Sequence, residues 1–240
     1  MDLTFIIQGQ PYPLNAVQTW ESKRLRKAAA KIGLPVPDGS LEDQRRAFAD
    51  AKLALGPDEI RRRLRRDLTT SDLVAAATAR ISRGRRAMSV CEIRSTTGRA
   101  ADFVSWFLDT TRPDYERSMI AAHPDHFLIR TAPDGTQEVV ETTGGSPAAS
   151  RLLIDYTDIS TLRSVRDPAY DLEAAGVAHS GSGLPVGGVR HQFRDRAGGF
   201  HARLCVEFPQ VVLPRMVSQH RWHLATEWAN WITFAFHGLD

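Results

Sequence analysis

Residues 213–236 read LPRMVSQHRWHLATEWANWITFAF, and this stretch decides the fold. Helical positions three and four apart share a face, and Leu213, Met216, Leu224, Trp228 and Trp231 fall on or beside one stripe. The spacing predicts a long helix that closes the chain and buries that stripe. His220, His223 and Glu227 lie on the same face. A buried carboxylate is costly unless it is paired, and a divalent cation would pair it well. A His four residues before an acid is expected about once by chance in a chain with 8 His and 28 Asp and Glu, so the pair takes its meaning from its surroundings.

Upstream of the helix the periodicity is that of strands. MSVCEIR (88–94) alternates, and RAADFVSWFLDT (99–110) is helical with Phe103, Trp106 and Phe107 on one side. HFLIRT (126–131) and TQEVVETT (136–143) flank Ala132-Pro133-Asp134-Gly135, a turn whose residues supply the dihedrals of a tight reversal. SRLLIDYTD (150–158) reads as a further strand, and residues 159–184 as a loop-rich excursion. VGGVRHQFRD (186–195) and GFHARLCVEF (199–208) form a second hairpin. Gly144-Gly145 and Gly187-Gly188 are expected at bulges or bends. Before residue 88 the chain reads as four short helices. One is capped by Asn15 and ends at Gly33, one opens at Ser40 with Asp43 completing a capping box, one follows Gly56-Pro57, and one starts at Ser71. The expected architecture is α+β, a helix-grip (START-like) fold in which a curved antiparallel sheet wraps the C-terminal helix (88–240). A small helical module (1–87) precedes it.

Composition agrees with a globular chain: 42% of residues are apolar and 25% charged. No apolar run reaches the roughly 18 residues of a membrane span, and the N-terminus lacks the basic start of a signal peptide. Cys91 and Cys205 are too few for a disulfide framework, which makes the cytoplasm the default location. Residues 1–90 carry 17 Lys and Arg against 10 acids, and residues 91–240 carry 14 against 18, so the first part is basic and the second acidic. The run Arg61-Arg62-Arg63 with Arg65-Arg66 raises nucleic-acid binding as a rival use of the N-terminal helices. Nearby Asp58, Glu59 and Asp67 and the lack of any nucleic-acid motif argue against it. A protein–protein or homodimer contact would use that surface equally well. Neither Gly pair has phosphate-loop spacing.

The first hairpin offers His123, His126, Glu138 and Glu141. Strand side chains alternate, so Glu138 and Glu141 should face opposite ways and only one should point inward. One His and one Glu from this hairpin, with one His and one Glu from the helix, give two nitrogens and two anionic oxygens. That donor set suits Zn²⁺, and also Mn²⁺ or Fe²⁺.

The stretch from Trp106 through YERSMIAAHPDH, VVETTGG, HARLCVEF and the H-x-x-x-E of the last helix resembles the 2,4-diacetylphloroglucinol hydrolase / phloretin hydrolase family. The likeness covers roughly residues 100–235 and does not reach the N-terminal module. It implies a zinc hydrolase on a helix-grip scaffold that cuts the carbon–carbon bond between an acyl group and a phenol ring, acting on a small aromatic ketone or polyketide-like compound. Position by position, it implies His126, Glu141, His223 and Glu227 as ligands, with His123 the alternative to His126. An acid or base beside the metal is then expected among Tyr115, Tyr156, His201, His220 and Glu138. The rival reading is a non-catalytic ligand-binding protein in which the same residues form a buried polar network.

Overall fold

The computed structural model describes residues 2–239. Nine strands form one antiparallel sheet: β1 (Leu3–Ile7), β2 (Gln10–Pro13), β3 (Arg86–Ser95), β4 (His126–Thr131), β5 (Gln137–Glu141), β6 (Ser150–Asp155), β7 (Leu172–Ser180), β8 (Pro185–Arg196) and β9 (Gly199–Pro209). Their order is β2-β1-β3-β9-β8-β7-β6-β5-β4, so β2 and β4 are the edges and the sheet is open. The helices are α1 (Leu14–Ile32), α2 (Leu41–Ser82), α3 (Ala100–Leu108), α4 (Tyr115–Ala121) and α5 (Pro214–His237). α5 packs against β3, α1, α3 and α4, and against a single 3-10 turn at Thr143–Gly145. The fold is therefore α+β, with a broad antiparallel sheet and a long C-terminal helix, and no helix among the described residues is long and apolar enough to cross a membrane.

Both predicted hairpins form, β4–β5 and β8–β9, and Ser40 with Asp43 makes the full capping box. Other parts differ from expectation. Residues 3–13 are a hairpin and pair with β3 in the main sheet. Its turn, Gln8-Gly9, has positive φ at both residues, the conformation a two-residue reversal needs. α1 starts at Leu14 after Pro13, so Asn15 lies inside the helix rather than capping it. No break occurs at Ser71. α2 runs on to Ser82, and its one interruption is Gly56, whose left-handed φ and the following Pro57 produce a kink. The excursion 159–184 contains β7, a strand of small residues. Gly144-Gly145 lie in the 3-10 turn rather than in a bulge.

Two apolar cores result. The larger lies between α5, α3 and the sheet and includes Phe5, Ile93, Phe103, Phe193, Phe200 and Trp228. The smaller joins α1 and α2, through Leu25, Ile32, Phe48 and Leu64, to Phe127, Leu128 and Val140 of β4 and β5. A register shift between His126 and Leu128 sets this division. The bulge breaks the alternation of β4, so Phe127 and Leu128 both join the smaller core while His126 and Ile129 both line the space under α5. β5 alternates regularly: Gln137, Val139 and Glu141 line that space, and Val140 packs outward. Three arginines of the run on α2 are paired, Arg61 with Asp58 and Glu138, and Arg62 and Arg63 with Glu59, while Arg65 and Arg66 are exposed.

Candidate metal centre

The start of β4, the end of β5 and the middle of α5 bring His126, Glu141, His223 and Glu227 together, all four buried. His126 Nε2 lies 3.2 Å from His223 Nε2, 3.0 Å from Glu227 Oε2 and 3.5 Å from Glu141 Oε2. His223 Nε2 lies 3.4 Å from Glu141 Oε2 and 3.6 Å from Glu227 Oε2. A tetrahedral ion with bonds of about 2.0–2.1 Å sets its ligand atoms about 3.3 Å apart, the middle of the observed 3.0–3.6 Å range. The group could hold a metal ion on geometry alone.

The surroundings orient these side chains. His126 Nδ1 donates to the Met119 carbonyl at 3.0 Å, which leaves the Nε2 lone pair for the cluster. Thr143 Oγ1 donates to Glu141 Oε1 at 2.8 Å and turns Oε2 toward the histidines. His123, the alternative ligand, stacks on the His223 ring at 3.8 Å, and its Nδ1 accepts the Asp125 N–H at 3.0 Å. His123, His126 and His223 also form a possible donor group, but one without an anion to balance a divalent charge.

Electrostatics point the same way. Burial opposes charge on both carboxyls, yet His223 and His126 hold the Glu141 carboxyl down to about 2, and Glu227 is lowered as well. Burial also opposes charging of His223, but Glu141 and Glu227 raise it to about 10. Without a metal the cluster holds two carboxylates around the protonated His223 ring. A divalent ion replacing the His223 proton brings the net charge to zero.

The cluster opens into a cavity of about 780 Å³. Of the expected acid–base residues, Tyr156 and His220 line it. Burial raises the Tyr156 pKa and keeps its phenol protonated. His220 holds Ser89 Oγ through Nδ1 at 3.0 Å, and burial lowers it to about 3, so it is neutral. Tyr115 is not in the cavity wall; its hydroxyl accepts from Gln137 Nε2 at 2.8 Å, and Gln137 Oε1 accepts from Tyr156 at 3.4 Å. Glu138 points away into Arg61 and Arg151, and His201 pairs with Glu92 and Tyr170. Two wall residues went unnoticed in the sequence. Gln137 links the two tyrosines. His191 of β8 packs on Trp228 at 4.6 Å, and burial lowers it to about 4, so it is a neutral imidazole in the cavity wall.

The segment that leads into His126 is clamped from three sides. Arg24 of α1 makes two 2.7 Å bonds to the buried Asp125 carboxylate. Lys52 of α2, fully buried, donates to the carbonyls of Ile120, Pro124 and His126, the last at 2.6 Å. Asn230 of α5 donates to the Ala122 carbonyl at 2.9 Å.

No protein-family model matches this chain, and no curated protein matches it.

Proposed function

We propose that this protein is a zinc-dependent hydrolase that cleaves the carbon–carbon bond between an acyl group and a phenolic ring, on a helix-grip scaffold. The observation that carries this reading is the buried two-His, two-Glu group at tetrahedral spacing, opening into a large cavity with aromatic walls. The sequence likeness to the 2,4-diacetylphloroglucinol hydrolase / phloretin hydrolase family supports the same reaction.

His126, Glu141, His223 and Glu227 would hold the ion, which when bound would polarise the acyl carbonyl and acidify water. The chain's own groups account for the rest. Trp231, stacked on His126 at 5.7 Å, and Trp228 give the phenol ring flat apolar surfaces beside the cluster. Tyr156, held protonated, donates to an oxygen of the ring and favours its keto tautomer. The hydroxide of water ends on the acyl carbon, the bond to the ring breaks, and its electron pair stays on the ring as an enolate. His191, neutral at physiological pH, is placed to pass the remaining proton of water to the ring carbon. The products are the deacylated phenol and a carboxylic acid.

The test is hydrolysis of a monoacylated polyhydroxybenzene by the purified protein, before and after chelation, with metal content measured. Activity that requires one bound metal per chain and disappears in His223→Ala supports the reading. Turnover indifferent to chelation and to His223→Ala refutes it. Ligand binding without turnover favours the non-catalytic alternative.

A further inference from the structure

The cavity is far larger than a single acylated ring, lying in the upper part of the roughly 300–1,000 Å³ range that encloses drug-sized ligands. Its wall has two kinds of lining. Beside the four candidate ligands it is aromatic, with Trp228, Trp231 and Phe107 in mutual contact. Elsewhere it is aliphatic, with Leu152, Val186, Val189, Val206 and Met216. Several lining residues are also exposed and mark the mouth, among them Lys27 of α1, Val74 of α2, and Leu213 and Arg215 where α5 begins.

Charge is unevenly placed as well. Beyond Glu141 and Glu227, the only carboxylate among the described lining residues is Glu207. It is consumed by the backbone N–H groups of Arg163 and Ser164 and by the Ser164 hydroxyl. Arg24 is neutralised by Asp125. Lys27 and Arg215 have no hydrogen-bond or ion-pair partner among the described residues. The mouth therefore presents two unpaired cations beside exposed aliphatic side chains.

We propose that the natural substrate is an aryl ketone whose acyl group is a long aliphatic chain ending in a carboxylate. The ring occupies the aromatic end beside the four ligands, the chain runs along the aliphatic wall, and the carboxylate reaches Lys27 and Arg215 at the mouth. Hydrolysis places the hydroxyl of water on the acyl carbon and its hydrogen on the ring carbon, giving the free phenol and a dicarboxylic acid. This assignment rests on the carbon–carbon hydrolase reading and specifies which acyl donors that site takes.

The probes are acylresorcinols of increasing chain length ending in a carboxylate, their methyl esters, and acetylresorcinol. Binding is read by quenching of tryptophan emission and turnover by release of resorcinol. Affinity is expected to rise about two- to fourfold per methylene until the chain reaches the mouth. The acid should bind about three- to tenfold tighter than its ester at low salt. High salt, or the double variant Lys27→Met, Arg215→Met, should erase the acid's advantage and leave ester binding unchanged. Both positions are exposed, so the variant should fold. Equal binding of acid and ester, or long chains binding no better than acetylresorcinol, would overturn the proposal. Acid preference and chain-length dependence without resorcinol release would retain the ligand class and defeat the hydrolase reading. Hydrolysis of acetylresorcinol without acid preference would do the reverse.

Discussion

Replacing Glu227 by Gln keeps the shape of the side chain and removes one of the two anions of the candidate metal centre. The amide can still donate to His126 Nε2, 3.0 Å from Glu227 Oε2, so the fold should survive. The metal site should not. Zinc sites with four protein ligands bind with about 10–16 kcal/mol at neutral pH, or about 3–4 kcal/mol per ligand if shared evenly, which predicts a loss of about two to three powers of ten in affinity. Competition with a chromophoric chelator measures this directly. Thermal unfolding offers a second readout: a hundredfold loss removes about 2.7 kcal/mol of ligand-linked stabilisation, or about 5–10 °C of the zinc-induced rise in Tm for a chain of this size. Glu138→Gln is the control, since that carboxylate is equally buried but faces Arg61 and Arg151. Zinc affinity in Glu227→Gln within threefold of the parent, or an equal loss in Glu138→Gln, would refute the assignment of ligands.

Three further outcomes are expected. With His223 raised to about 10, metal binding at pH 7–8 should displace its proton, so a weakly buffered indicator dye should report about one proton released per metal; none released would contradict the charge balance given for the cluster. The metal-free protein should show little pH dependence of stability between about 7 and 9, below the range where the buried thiols of Cys91 and Cys205 begin to contribute, because two groups oppose each other there. His223, raised from 6.5 to about 10, stabilises at low pH and loses that contribution as pH rises through 10, whereas Lys52, lowered by burial from 10.5 to about 7, makes stability rise over 7–10.5. In Lys52→Met the His223 slope is unopposed, so urea-measured stability should fall from pH 6.5 to 9; a flat profile over that range in the variant would refute the account. Finally, Gly144→Ala should destabilise by more than about 2 kcal/mol in urea unfolding, since φ is +55° and the new Cβ would lie 2.6 Å from the Met216 carbonyl oxygen of α5; a neutral substitution would show that the 3-10 turn yields easily.

What could be read in advance depended on whether an element exposes one face. β3 alternates cleanly, with Ser89, Cys91, Ile93 and Ser95 buried, and its strand was legible. The β4–β5 hairpin was announced by its turn, and the His and Glu of α5 by their place on an apolar stripe. β7 was hidden because its Ala and Gly residues carry no β-branched signal; Gly176 is needed there, since a Cβ would meet the Asp155 carbonyl oxygen at 2.6 Å. β8 is buried on both faces, so nothing in its pattern marks His191 as a cavity residue. Nothing local marks Arg24 and Lys52 as buried, because their partners, Asp125 and the carbonyls around the start of β4, lie far away in sequence. The short β1–β2 hairpin lacks the Asn-Gly or Asp-Gly turn that would have signalled it.

The clamp on the segment leading into His126 bears on how this protein can be divided. Arg24 and Lys52 belong to the basic N-terminal helices, yet their hydrogen-bond donors are spent inside, on the segment that aims one of the four candidate ligands. A fragment beginning at residue 88 would keep all four side chains of the cluster and lose two of the three supports of that segment, together with the strand that borders β3. Such a fragment would own the chemistry and lack the means to aim it. Natural variation or engineering in residues 14–60 should therefore reach metal affinity without touching a candidate ligand, and the N-terminal helices are best regarded as the remote half of the candidate site.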